Sequence, residues 1–242
     1  MGRGRRRAGS SGSGRLVTTV VVAAVLVVAA AFGLINVDDL QNILLGSGEQ
    51  GTVQGAGDPS EARDALRKLE VAPPGSMAGY SREKFPHWSD AEEFGWDVPD
   101  TSCDARDAAL IRDGKNVRVG DGCDVTSGEW RDPYTGRTYT DPADIDIDHV
   151  VPLANAWRSG ASSWGESRRE QYANDPQVLL SAEDNANQEK GDKGPEAWKP
   201  PNRAIWCKYA IRWVDIKASY HLSVNQQEKA ALEQMLDTCK GG

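Results

Sequence analysis

The hydrophobic pattern divides the chain into an unbroken apolar run and a longer stretch where helix and strand periods alternate. Leu16 to Ile35 is twenty residues without a charge, dominated by Val and Ala. Asp38 to Gly57 carries Gly, Gln and Ser, has little to bury after Leu45, and reads as a tether. Asp58-Pro59-Ser60-Glu61 then starts a helix, with Pro in the first turn and acids near the positive end of the dipole. Ala62, Ala65, Leu66 and Leu69 give it an apolar face, and Pro73-Pro74-Gly75 closes it after about Glu70. Tyr80 to Asp100 is aromatic and irregular. Cys103 to Arg112 reads as a helix with Ala105, Ala108, Ala109 and Ile111 inward. Val117 to Thr140 alternates and is broken by turn residues, which predicts strands and hairpins. A strand is predicted over Ile145 to Val151, short helices over Ala154 to Trp157 and Glu166 to Tyr172, and a short strand over Gln177 to Leu180. Ser181 and Asp184 form an S-x-x-D pattern that predicts a helix capped by Ser181. Two amphipathic helices follow, Ala204 to Tyr220 and Asn225 to Asp237. The sum is an α+β domain over residues 58–242, with no internal repeat.

Charge changes the picture of the first 35 residues. Five arginines (Arg3, Arg5, Arg6, Arg7, Arg15) and no acid precede the apolar run. A basic leader before an apolar stretch is an export signal, either cleaved after about Ala31 or retained as a membrane anchor over residues 16–35. The anchor is slightly favoured, because the run continues through Phe32, Leu34 and Ile35. Either way the arginines stay inside and the domain faces out. The four cysteines agree with export, since none sits in a C-x-x-C pair and an even count favours disulfides. Three connectivities can be drawn. Cys103–Cys123 and Cys207–Cys239 are expected, because each closes a local loop. Removing the leader's five arginines leaves 23 basic residues against 36 acids, a balance near −13. That is the wrong sign for a broad basic nucleic-acid surface, so any nucleic acid must be gripped locally.

The segment richest in chemistry is Asp144-Ile145-Asp146-Ile147-Asp148-His149-Val150-Val151-Pro152-Leu153. Alternation on a strand puts Asp144, Asp146 and Asp148 on one face. Three carboxylates against a core require a positive partner, and a divalent cation is the economical one. His149 follows Asp148 directly, so a ligand and a base lie side by side where the strand bends. About forty residues on, Asn185-Ala186-Asn187-Gln188-Glu189-Lys190-Gly191-Asp192-Lys193 puts amide oxygens and two lysines on the next helix and its end.

This order, D-H-V-V-P-L followed by N-x-x-K-G-D-K-x-P-x-x-W-x-P, resembles the HNH (His-Me finger, ββα-metal) endonuclease superfamily. It is most similar to the exported bacterial subgroup that shares its catalytic domain with GmrSD-type restriction enzymes. The motif core covers residues 144–201. Tyr80-Ser81-Arg82, Phe85-Pro86-His87-Trp88 and Cys103-Asp104-Ala105-Arg106-Asp107 extend the resemblance to about residues 75–240. It implies a ββα-metal core with additional helices, His149 as general base, and Asp148 and Asn187 as metal ligands, with Asp146 in support. Asn174 resembles the middle Asn that holds the base-bearing loop, and Asn155 is the alternative. Where colicin-like members place extra histidines, this chain has an Asp and an Asn. Hard oxygen donors favour Mg²⁺ or Mn²⁺ over Zn²⁺.

The implied reaction is metal-dependent hydrolysis of phosphodiester bonds in DNA, with RNA also compatible, largely without sequence preference, by an exported monomer. A neutral imidazole can take a proton from water, one cation can stabilise the phosphate and its leaving oxygen, and Lys190, Lys193 and Arg106 are candidate phosphate contacts. His87 reads as a packed structural histidine and His221 as a charge partner at a helix end. Trp198, beside the lysines, is the tryptophan best placed to stack a base. The competing class is a non-catalytic, disulfide-stabilised cell-surface binding domain on a degenerate nuclease fold. The acidic balance argues for it, and the intact Asp148, His149 and Asn187 argue against it. The absence of G-x-S-x-G speaks against an α/β-hydrolase-type serine enzyme.

Overall fold

The computed structural model describes residues 57–239. The basic leader, the apolar run and the tether up to residue 56 lie outside the described residues, and with them the expectations of a cleaved signal or an anchor. Among the described residues no helix is long and apolar enough to cross a membrane.

Helix α1 (Pro59–Lys68) begins where the Asp58 carboxylate accepts the Ser60 N–H at 2.7 Å, and Arg67 and Lys68 lie in its last turn, where the dipole is negative. Its Ala62 and Leu66 are buried, and it packs on the long helix Trp206–Ser219. Helix α2 (Ala105–Asp113) is held by a reciprocal cap between Asp104 and Asp107, and it buries Ala105, Ala108, Ala109 and Leu110. It runs directly into strand β1 (Gly114–Val119). Glycine is required at that junction, because a Cβ on Gly114 would lie 2.7 Å from Trp130 Nε1. The indole donates to the Leu110 carbonyl at 2.9 Å and closes the corner. Strands β2 (Val125–Arg131) and β3 (Thr138–Tyr139) complete a three-stranded antiparallel sheet in the order β1-β2-β3.

Strand β4 (Ile145–His149) is followed by helices α3 (Leu153–Arg158) and α4 (Glu166–Asn174), then strand β5 (Leu179–Glu183) and helix α5 (Asp184–Lys190). β4 and β5 pair antiparallel, with Asp146 opposite Ala182, Ile147 opposite Ser181 and His149 opposite Leu179. α5 packs on both strands. The expected helix start at Ser181 is therefore corrected. Ser181 lies inside β5 with its hydroxyl on the Ala109 carbonyl, and Glu183 caps the helix by accepting the Ala186 N–H. Asp144 is also off the strand, in a 3-10 turn, so only Asp146 and Asp148 share the acidic face.

Helices α6 (Trp206–Ser219) and α7 (Gln226–Leu236) close the chain, α7 beginning in a reciprocal cap between Asn225 and Glu228. The expected disulfides are present, Cys103–Cys123 with Cα atoms 5.0 Å apart and Cys207–Cys239 at 4.9 Å. Two cores result, and the β4–β5 pair lies between them. Ile145, Ile147 and Leu179 join the core of α2 and the three-stranded sheet, while Ala182, Val150 and Val151 join the larger core of α3, α4, α6 and α7. The alternation of β4 thus turns its acidic face toward the larger core, where a carboxylate must find partners.

Candidate active site

Asp148 shows how that requirement is met. It is 5% exposed. Its Oδ1 accepts from Lys190 Nζ at 2.8 Å and its Oδ2 from the Tyr134 hydroxyl at 2.5 Å. Lys190 Nζ also donates to the His149 carbonyl at 3.0 Å. Burial pushes Asp148 up and Lys190 down, and the charge of each partner opposes that push. Lys190 thus differs from its expected role as a phosphate contact. It is fully buried, at the end of α5, and ties that helix to β4.

His149 ends β4. Its ring Nε2 is 3.0 Å from the Ala173 carbonyl, at the end of α4. A carbonyl only accepts, so Nε2 carries the proton and the neutral ring keeps its lone pair on Nδ1. Burial, helped by the positive charge of Arg82, pushes the imidazole down to about 3. The ring is therefore neutral at neutral pH.

Asp146, Asp148, His149 and Asn187 border one cavity of about 430 Å³. Asn187 projects from α5 toward β4, its Nδ2 3.3 Å from Asp146 Oδ2. Arg106, from the first turn of α2, borders the same cavity. Gly191, with φ 53° and ψ −126°, ends α5 at the cavity edge in a conformation that L side chains resist. Among the described residues, no three His, Cys, Asp or Glu side chains group closely enough to hold a metal by themselves. A larger cavity of about 580 Å³, between α1 and the end of α6, contains His221 but none of these groups.

Three other expectations place differently. Lys193 is exposed, does not border the cavity, and donates to the Glu189 carbonyl. Asn174 does hold a loop, but the loop is Pro86 to Ser89. Its Oδ1 accepts the Ser89 N–H at 3.0 Å and its Nδ2 donates to the Pro86 carbonyl at 2.9 Å. The alternative middle residue, Asn155, is buried in α3 and accepts from the Ser159 hydroxyl. Trp198 is buried in the larger core, edge-on to Tyr134, and is no base platform.

The held loop brings in residues that the sequence did not single out. Trp88 borders the cavity with its ring centroid 6.1 Å from that of His149, and its φ of 63° is rare for a bulky side chain. Arg82 and Tyr80 border the cavity as well. In the sequence they figure only in segments that extend the family resemblance, without a role, because an irregular segment has no period that assigns a side chain to a face.

Strands β4 and β5 with helix α5 gather Asp146, Asp148, His149 and Asn187 around one cavity. The family model described as the C-terminal domain of GmrSD restriction endonucleases matches residues 104–235, and the chain belongs to that family. An uncharacterized secreted protein of Arthroderma benhamiae is 50% identical over 183 residues, covering 74% of this chain and 85% of the relative. No solved structure matches.

Proposed function

We propose that this protein is an exported, metal-dependent endonuclease of the HNH (ββα-metal) kind, which hydrolyses phosphodiester bonds of DNA, and of RNA by the same chemistry, without marked sequence preference. The observation that carries the reading is the fixed tautomer of His149. With Nε2–H committed to the Ala173 carbonyl, the free Nδ1 lone pair belongs to a residue that borders the cavity. There it takes a proton from the water that attacks phosphorus. Arg106 supplies positive charge beside the non-bridging oxygens. Membership of the GmrSD C-terminal family supports phosphodiester chemistry. Two disulfides, and the word secreted in the name of the Arthroderma benhamiae relative, support export.

The donor set supports a hard divalent cation. Asp148, Asn187 and Asp146 all border one cavity, and each side chain carries an oxygen donor. Lys190 and Tyr134 hold Asp148 but are fully buried and do not border the cavity, and each carboxylate oxygen has a second lone pair. Asp148 and Asn187 would hold Mg²⁺ or Mn²⁺ in preference to Zn²⁺, with Asp146 in support. Bound there, such a cation supplies charge stabilisation at the phosphate and at the leaving oxygen.

The test is nicking of supercoiled plasmid by the oxidised full chain with Mg²⁺, Mn²⁺ or EDTA. Metal-dependent nicking that His149→Ala abolishes supports the reading. A folded wild-type protein that nicks under no metal contradicts it. That result would favour a binding domain on an inactive nuclease fold, the reading to which the acidic balance of 36 acids against 28 bases points.

A further inference from the structure

The cavity lining contains two cations, and both are arginines. Arg106 comes from the first turn of α2, and Arg82 from a short 3-10 turn, Arg82–Lys84. The lysines expected to meet phosphate are engaged elsewhere, Lys190 with buried Asp148 and Lys193 with the Glu189 carbonyl. Other arginines are used by the fold itself. Arg112 pairs with Asp113, Arg158 with Asp192, and Arg212 donates to the Pro176 and Leu179 carbonyls. Among the described residues, no ion pair includes Arg82 or Arg106.

Arg82 is also aimed. Its Nε lies 3.3 Å from His87 Nε2, and His87 Nδ1 lies 2.8 Å from the Phe85 carbonyl. The carbonyl forces the His87 proton onto Nδ1, so Nε2 is the acceptor for the Arg82 Nε–H. This engages the Nε edge of an exposed side chain and leaves both terminal NH₂ groups without a partner among the described residues. A fork of that kind suits a phosphate. His87 is itself steadied, because Asn174 holds the residues on either side of the His87-Trp88 pair.

We propose that Arg82 and Arg106 form a two-point clamp on neighbouring phosphates of the nucleic-acid chain, with His87 as the positioning residue for Arg82. The proposal rests on the nuclease reading for the identity of the polyanion. It answers how so acidic a chain can hold nucleic acid at all. The grip is confined to about two phosphates, so binding is weak, depends shallowly on salt, and is satisfied by short oligonucleotides. Each phosphate neutralised on a single strand contributes a slope of about −0.7 in log K against log salt. The clamp therefore predicts about −1.4, far shallower than a basic groove gives.

The experiment measures binding of a fluorescent single-stranded oligodeoxynucleotide by anisotropy, in EDTA, across a range of KCl concentrations. The oxidised full chain is compared with Arg82→Ala, Arg106→Ala, and Arg131→Ala, an exposed arginine outside the cavity. The expected slopes are about −1.4 for the wild type and Arg131→Ala, and about −0.7 for each cavity variant. His87→Phe should weaken binding several-fold and His87→Gln, which keeps an acceptor, should restore it. An unchanged slope in Arg82→Ala, no binding by the wild type, or an equal loss in Arg131→Ala overturns the clamp. Plasmid nicking by the same preparations separates the two readings. Nicking with an unaltered slope removes only the clamp, and a halved slope without nicking removes only the hydrolysis.

Discussion

His87 and His149 are held by backbone carbonyls through opposite ring nitrogens. His87 is bound to Phe85 through Nδ1 at 2.8 Å, and His149 to Ala173 through Nε2 at 3.0 Å. Since neither carbonyl can donate, the bonded nitrogen of each ring carries a proton, Nδ1 in His87 and Nε2 in His149. One exposes Nε2 to Arg82, and the other keeps Nδ1 for the cavity. Long-range ¹⁵N–¹H correlation spectra at neutral pH should show an Nε2–H tautomer for His149 and an Nδ1–H tautomer for His87. Two rings of the same tautomer would contradict the arrangement.

The Lys190–Asp148 pair predicts a large stability cost for removing one charge alone. Lys190→Met leaves a buried carboxylate with Tyr134 as its remaining partner, and should lose about 3–5 kcal/mol in urea unfolding. Adding Asp148→Asn removes the stranded charge and should recover most of the loss. A single-variant loss below about 1 kcal/mol would mean that the pair does not brace α5 against β4.

Glu183 predicts the acid limb of the stability curve. Burial alone would raise it, but bonds from Asn185 Nδ2 at 2.7 Å and the Ala186 N–H at 2.8 Å outweigh that effect and hold it below the ordinary carboxylate value. A depressed folded-state pKa contributes stability that is fully present above the unfolded value of about 4.3 and is lost as pH falls through the folded value. Wild type should therefore exceed Glu183→Gln in stability at pH 7, with the gap closing below about pH 4. A gap that widens in acid would contradict the assignment.

Cys207–Cys239 joins the start of α6 to the residues after α7 and does not border the cavity. Replacing both cysteines by serine should cost about 2–4 kcal/mol, with nicking retained at temperatures where the protein stays folded. Loss of activity with an intact fold would show that the bridge reaches the site.

Much of this arrangement was legible in the sequence because it depends on local periods. The D-I-D-H alternation placed Asp146 and Asp148 on one strand face, and loop length alone picked out both disulfides. Ser181 was misread because an S-x-x-D pattern is a local signal. Pairing with Ile147 of β4 overrode it, and the cap moved to Glu183. Lys190 was misread because a lysine beside glycine ordinarily faces water, and only the buried Asp148 across the fold makes its burial tolerable. Arg82 and Trp88, named only within segments of the family resemblance, were given no role for a third reason. They lie in an aperiodic segment whose shape is set by Asn174, some eighty residues away in sequence.

The central claim, that His149 Nδ1 is the base, is tested most directly by plasmid nicking with Mg²⁺ or Mn²⁺, comparing wild type with His149→Gln. The Gln amide can reach the Ala173 carbonyl as Nε2 does, but it offers no basic nitrogen in the Nδ1 position. The variant should keep the wild-type circular dichroism and unfolding midpoint while its nicking rate falls by about 10²–10⁴-fold. Nicking within a few-fold of wild type would contradict the account and place the base on another residue.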